Sequence, residues 1–207
     1  NPWTRDGMVQ AEVVEVAARV SGPITVVHVR DNQYVKAGDP LFDLDDRLVR
    51  VALAQAEANL HQKEAVAREA RDRASRDTRL EAQAPGALSP EAYQQARDQL
   101  LAAEADVEAA QAQLAQAHLD VAFTHVVAPV DGYITNLTLQ PGTMAVAYKP
   151  LVALISSDSF RVDAFFRETQ IGDFRPGDQA LVTLMTYPDR PLEAVVESIG
   201  WGIARDR

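Results

Sequence analysis

Apolar and polar positions alternate in two short stretches of this chain, and the two stretches match each other. They cover residues 22–44 and 132–154, and at a constant spacing of 110 residues glycine, isoleucine, threonine, proline and leucine recur without a gap. Alternation with a period of two, punctuated by Gly and Pro, predicts short half-buried strands in each copy. Because either copy alone leaves an apolar face and sheet edges uncovered, we expect the two copies to pack together as one β domain.

Four glycines are predicted to form the structural turns of this repeat. Gly22 and Gly38 belong to the first copy, and Gly132 and Gly142 belong to the second. Glycine has no Cβ atom and therefore tolerates the backbone angles that tight turns require. We assign these four residues a structural role and no chemical one.

A long helical segment is predicted between the two copies. From Asp46 to about Gln83 there is no Gly or Pro, and strong helix formers dominate. The Pro85-Gly86 pair predicts a loop, and Ser89 followed by a proline is a start signal for a second helix, which runs to about residue 121. A loop of about six residues forces the two helices to lie antiparallel.

The second helix carries a regular apolar seam. Large residues recur every seven positions and alanines fill the alternate positions, which is the spacing of a coiled coil. The large residues are Tyr93, Leu100, Val107, Leu114 and Val121, and the alanines are Ala96, Ala103, Ala110 and Ala117. Alanine at one seam position lets two helix backbones approach closely. A compact bundle is the alternative, but both helices are polar on every other face, so further helices would have no apolar stripe to pack on.

Composition excludes several classes of function. Lys and Arg number 20 and Asp and Glu number 30, so the net charge is -10, and the chain lacks the clustered cations that bind nucleic acid. It has no cysteine, which excludes a thiol nucleophile, a Cys-ligated zinc and any disulfide. No apolar run reaches the ~18 residues needed to cross a bilayer.

Candidate chemistry is sparse. The four histidines (His28, His61, His118 and His125) show no metal-ligand spacing, and we interpret them as structural or surface residues. Asp43, Asp45 and Asp46 crowd the start of the first helix, but the glycine and the later glutamate of a calcium loop are absent, so capping by Asp45 or Asp46 explains them better. No catalytic motif occurs. The sequence predicts no enzyme, no metal and no cofactor.

The paired β halves are similar to biotinyl and lipoyl carrier domains, in which a lysine on the hairpin between the halves carries the cofactor. Here about 80 residues of helix separate the halves, so that hairpin does not exist. The predicted fold class is mixed α and β and elongated: a lipoyl-like β domain from two half-motifs, a long antiparallel α-helical hairpin between them, and a partial β-barrel after them. The predicted segments are an N-terminal linker and barrel entry (1–17), the first lipoyl half (18–45), the hairpin (46–123), the second lipoyl half (124–157) and the barrel (158–207), which residues beyond 207 are expected to complete.

This order of elements resembles the periplasmic adaptors, or membrane fusion proteins, a hemolysin-secretion-D-like family. The family's first half-motif is matched by Val20-Ser-Gly22 with residues 35–41, and its second by residues 128–132. Three stretches (3–6, 31–36 and 132–137) are also similar to the adaptor of the aromatic carboxylic acid (p-hydroxybenzoate) efflux pump.

The resemblance implies one functional site, at the tip of the hairpin. Many members carry there an Arg, a Leu four residues later and a Ser after the turn, and these contact a TolC-type outer-membrane channel. Arg76, Leu80 and Ser89 match this triplet. The turn is two residues longer than the common pattern. A simple N-cap is the alternative role for Ser89, and a solvated helix charge is the alternative for Arg76.

The resemblance also implies how such a protein works. The expected partners are an inner-membrane transporter, a TolC-type channel and further copies of the chain, most often six in the assembled pump. The expected location is the periplasm, with an anchor in the inner membrane through an N-terminal segment absent from this chain. Two alternatives stay open: an adaptor of a type I, ABC-driven secretion system, and a structural coiled-coil protein outside transport.

Overall fold

The computed structural model describes residues 2–172 and 175–200. The chain divides into two units: one contains the residues up to Ala11 together with those from Ser159 onwards, and the other runs from Glu12 to Asp158. The strands are β1 (Gly7–Gln10), β2 (Val13–Ala17), β3 (Gly22–Val27), β4 (Tyr34–Val35), β5 (Pro40–Leu44), β6 (His125–Val127), β7 (Gly132–Thr135), β8 (Met144–Ala145), β9 (Pro150–Ser156), β10 (Arg161–Ala164), β11 (Gln179–Val182) and β12 (Leu192–Val195). The helices are α1 (Arg47–Gln83), α2 (Pro90–Ala122) and α3 (Glu168–Ile171).

The β part of the larger unit consists of two four-stranded sheets. Their strand orders are β2-β9-β7-β4 and β6-β5-β3-β8, so each sheet contains strands from both copies of the repeat. The alternating apolar residues of both copies fill one core, in which Leu41, Phe42, Ile134 and Leu154 are fully buried. This confirms the prediction that the two copies form one β domain.

The backbone hydrogen bonds show a pseudo-two-fold relation between the copies. The N–H of Gly142 donates to the carbonyl of Ile24 (2.8 Å), and at the equivalent positions the N–H of Asn32 donates to the carbonyl of Ile134 (3.0 Å). Each copy therefore supplies to the other the bonds that it receives in return. Neither half has these partners by itself, which is why the halves pair across the long helical insertion.

The hairpin helices pack against each other through small side chains. The buried residues of the pair are alanines: Ala56, Ala67 and Ala74 on α1, and Ala96, Ala103, Ala110 and Ala117 on α2. The large seam residues, such as Leu100 and Leu114, are only partly buried. Among the described elements, the helices have hardly any packing contact with the strands. The hairpin therefore depends on its own interface, where the ion pairs Lys63–Asp106 and Arg71–Glu104, each 2.8 Å long, link the two helices.

Strand β2 differs from the sequence prediction. Residues 1–17 were expected to form a linker and barrel entry, but Val13–Ala17 pairs antiparallel with β9 in the larger unit. Val16 is buried in the core while its neighbours are more exposed, so this short alternation continues the β domain beyond the repeat. The break between the units lies near residue 11.

The smaller unit contains two two-stranded sheets in its described residues. Strand β1 pairs with β10, and β11 pairs with β12, all antiparallel. The segment predicted as a partial barrel, residues 158–207, contains β10, α3, β11 and β12, and residues 173 and 174 lie outside the described residues. Part of the expected barrel segment, residues 201–207, also lies outside them.

Candidate functional site: the tip and the root of the hairpin

The tip of the hairpin is a compact, hydrogen-bonded turn. Helix α1 ends where the N–H of Ala84 donates to the carbonyl of Leu80 (2.9 Å). Gly86 has a φ of 84°, a value that favours glycine, and its N–H donates to Oε1 of Glu81 (2.9 Å). Helix α2 begins at a side-chain cap, since the Ser89 hydroxyl accepts the N–H of Ala92 (3.2 Å). The two helix ends are therefore fixed on either side of the turn.

The structure places the three predicted contact residues at this end of the hairpin. Arg76 and Leu80 lie one turn apart on the last part of α1, and Ser89 lies across the turn at the start of α2. Leu80 is 43% exposed although it is a large apolar residue at the end of a helix. Ser89 acts as the N-cap, and this role leaves its hydroxyl hydrogen available to another molecule.

Arg76 is exposed, and within residues 2–172 and 175–200 no hydrogen bond or ion pair is found for its guanidinium. Arg71, nearer the middle of α1, is engaged with Glu104 instead. A free guanidinium offers five N–H donors in a rigid planar group. Arg76 is thus a donor group presented to solvent beside an exposed leucine.

The four repeat glycines fall into two structural classes. Gly38 (φ 91°) and Gly142 (φ 93°) lie in turns with the left-handed backbone that favours glycine. Gly22 and Gly132 differ from the predicted turn role, because they begin strands β3 and β7. Gly132 has a different requirement: a Cβ atom there would collide with the carbonyl oxygen of Ile155 on the neighbouring strand β9.

The root of the hairpin holds a cluster that the sequence did not reveal. Asp43 lies between two histidines: its Oδ2 is 2.6 Å from Nε2 of His28, and its Oδ1 is 2.7 Å from Nδ1 of His125. Structural or surface roles were predicted for these histidines, without any contact between them. The only sequence signal was the strand pairing itself, since Asp43 and His125 are direct cross-strand partners on β5 and β6.

The pKa of the Asp43 carboxyl is lowered. Partial burial acts to raise this pKa, but the hydrogen bonds and charges of His125 and His28 outweigh it. Nearby, Arg47 holds the pKa of Asp45 at about 2 through side-chain and backbone hydrogen bonds. The N–H of Arg47 donates to Asp45 Oδ1 (3.1 Å), so Asp45 provides an acceptor for one backbone N–H of the first turn of α1. The side chain of Asp46 makes no cap hydrogen bond.

Within residues 2–172 and 175–200, no group of three or more His, Cys, Asp or Glu side chains is placed to hold a metal ion. In the same ranges no helix combines the length and the apolar character required to cross a membrane. The tip and the root of the hairpin are the two candidate sites of the larger unit.

Comparison with known proteins identifies the family. Residues 12–157 match the family model described as RND MFP, barrel-sandwich hybrid domain, where MFP denotes membrane fusion protein. This chain belongs to the RND membrane fusion protein family. The family consists of periplasmic adaptors, which are structural components rather than enzymes and which act in general with an inner-membrane transporter and an outer-membrane channel.

The chain is also similar to individual proteins. The chain is 39% identical over 204 residues to the Escherichia coli (strain K12) protein named "Uncharacterized protein YdhJ", covering 98% of this chain and 70% of that protein. In fold it is similar to the membrane fusion protein Spr0693 from Streptococcus pneumoniae R6 (TM-score 0.70, 18% identity, 95% of this chain and 82% of that one). It is also similar to the periplasmic adaptor protein EmrA (TM-score 0.56, 18% identity, 96% and 88%).

These findings confirm the predicted family and the predicted fold class. They also decide against a structural coiled-coil protein outside transport, because that alternative does not account for a family match over residues 12–157. The finer resemblance to the adaptor of an aromatic-acid pump stays a prediction, as do the roles of the three tip residues.

Proposed function

We propose that this membrane fusion protein is the adaptor of a tripartite efflux pump and that its hairpin tip docks on a TolC-type outer-membrane channel. The observation that carries the proposal is the tip itself, where Arg76 has no partner among the described residues and Leu80 is 43% exposed beside a rigid turn. The rest of the hairpin buries small alanines in its own interface. A rigid tip that presents a guanidinium and an exposed apolar side chain suits docking on the helical end of another protein.

The docking is expected to work by competition. The Arg76 guanidinium donates to backbone carbonyls of the channel, and Leu80 is removed from water by the same contact. Contacts of this kind favour an open channel only if they form better with the open state than with the closed one. The adaptor needs no catalytic group for this, and the transporter supplies the energy.

The test is efflux in cells that lack the native gene and express the variants. The double variant Arg76→Asp, Leu80→Asp is expected to lose efflux-dependent resistance, because it reverses the tip charge and places a carboxylate where the apolar contact forms. Exposed substitutions usually change stability by less than about 0.5 kcal/mol, so the variant is expected to fold. Circular dichroism of the purified variant checks its folding.

A matched control pair of residues lies nearer the middle of the same helix. Val66 is 50% exposed and Arg68 is also exposed, so Val66→Asp, Arg68→Asp makes the same change of charge and polarity away from the tip. This control is expected to keep efflux. Normal resistance with the folded tip variant, or equal loss with both variants, would contradict docking through the tip.

We infer that the assembled pump contains several copies of the chain, most often six in this family, around one conduit. The expected location is the periplasm, with an inner-membrane anchor supplied by an N-terminal segment that precedes this sequence. The smaller unit, with strands β1, β10, β11 and β12, is the part that we assign to the transporter. The family match to the RND class favours efflux over ABC-driven secretion.

The substrate class that we propose is the aromatic carboxylic acids. It rests on the similarity of residues 3–6, 31–36 and 132–137 to the p-hydroxybenzoate pump adaptor. Deletion of the gene is expected to lower the tolerance of cells to p-hydroxybenzoate more than their tolerance to an uncharged drug. Growth at graded concentrations of both compounds measures this difference. Equal sensitivity would remove the proposed substrate and leave the adaptor role intact.

A further inference from the structure

The cluster of His28, Asp43 and His125, here called the root cluster, joins three neighbouring strands at the base of the hairpin. Asp43 lies on β5, His125 opens β6, and His28 directly follows β3. Both carboxylate oxygens are used, one by each imidazole. A single acceptor group thus holds two potential cations from opposite sides.

Two residues of the root cluster lie close in the chain to the two ends of the hairpin. Asp43 precedes the start of α1 by four residues, and His125 follows the end of α2 by three. The contact therefore bridges the entry and the exit of the hairpin. The backbone reinforces it, since the N–H of Leu44 donates to the carbonyl of Thr124 (2.9 Å), and Thr124 is buried.

Few other charges can interfere with this cluster. Strands β3, β5 and β6 contain no titratable side chain other than Asp43 and His125. The nearby acids on the same connection are already paired, Asp45 with Arg47 and Asp46 with Arg50 (2.5 Å in both pairs). The side chains of His28 and His125 are 34% and 56% exposed, so protons reach both from solvent.

We propose that the root cluster is a pH-sensitive clamp that holds the two ends of the hairpin together more tightly in mildly acidic medium than at neutral pH. When both imidazoles are neutral, each donates an N–H hydrogen bond to the ionised carboxylate. Protonation of an imidazole adds the attraction between two opposite charges to that hydrogen bond. Histidine is the side chain whose charge ordinarily changes between about pH 5 and 8.

The lowest pH at which the clamp holds is set by the carboxyl group of Asp43. Its pKa lies below the ordinary value of 3.8, so the contribution of the carboxylate to stability is present above 3.8 and is lost as the pH falls through the lower value in the folded protein. In mildly acidic medium the carboxylate therefore stays ionised. The clamp is tightest in that interval.

Hydrogen exchange at the root measures the clamp directly. Protection factors of the peptides around residues 41–46 and 122–127, corrected for the intrinsic exchange rate, are compared at about pH 7.5 and about pH 5.5. In the wild-type protein we expect root protection to rise about fivefold on acidification, as for two partly exposed hydrogen bonds that each become an ion pair. The middle of the hairpin serves as an internal reference and is expected to change little.

Two variants decide the assignment. Asp43→Asn keeps the shape of the side chain but removes its charge, and we expect it to abolish the pH dependence at the root. Asp46→Asn removes an equal charge nearby, from a pair with arginine instead of histidine, and is expected to keep it. A wild-type root whose protection does not change with pH, or an Asp43→Asn protein with an unchanged pH response, would overturn the clamp. If Asp43→Asn fails to fold, the double variant His28→Gln, His125→Gln applies the same criterion with the carboxylate in place.

Discussion

Replacing Ala103 by aspartate is expected to unfold the hairpin while the β part of the larger unit stays folded. Ala103 is 7% exposed and belongs to the alanine interface between α1 and α2. A carboxylate at this site loses its hydration and gains no partner, which costs about 3–5 kcal/mol. The hairpin has hardly any packing contact with the strands among the described elements, so the loss is expected to stay local.

The neighbouring residue provides a matched control for this substitution. Ala102 is exposed on the same turn of α2, so Ala102→Asp makes the same change in charge and helix propensity outside the interface. It is expected to cost less than about 1 kcal/mol. Hydrogen exchange resolved by segment distinguishes the two cases. Loss of protection in the β strands together with the hairpin in Ala103→Asp would show that the two parts unfold as one.

The sequence predicts the helices of the hairpin but not the depth at which each interface residue is buried. The absence of Gly and Pro predicted α1, and the seven-residue period predicted α2 and the face on which it packs. It did not show how deeply each seam residue is buried, because that depends on the distance between the helix axes. With alanine at the alternate positions the helices lie so close that the alanines are buried, and larger residues such as Leu100 remain partly exposed at the edge of the interface.

The same distinction applies to the sites. Arg76, Leu80 and Ser89 were predicted from the resemblance to a family motif, since the tip is local in sequence and its residues need no distant partner. The root cluster could not be found in this way, because His28 and His125 are far apart in the chain and meet at Asp43 only through the pairing of β3, β5 and β6. Period-two alternation predicts that strands exist, but it does not specify which residues stand opposite each other.

The two equivalent glycines of the pseudo-two-fold repeat are expected to respond differently to substitution by alanine. Gly22 and Gly132 are equivalent positions, yet only Gly132 faces a backbone group so closely that a Cβ atom would collide with it, the carbonyl of Ile155. At Gly22 the nearest atoms, on Leu44 and Asp45, are 3.8 Å away, which is an ordinary van der Waals distance. The repeat thus contains its own matched control.

Gly132→Ala is expected to destabilise the β domain by about 1–3 kcal/mol. The upper end of this range is expected, because the added Cβ atom displaces the backbone of a strand and not a flexible side chain. Gly22→Ala is expected to be neutral or to stabilise by up to about 1 kcal/mol, because alanine loses less backbone freedom on folding than glycine does. Urea unfolding of both variants, followed by β-sheet circular dichroism with the m-value held as a check, measures the difference. Equal destabilisation by the two substitutions would contradict the close approach of β7 to β9 at Gly132, and with it the asymmetry that the structure shows within an otherwise symmetric repeat.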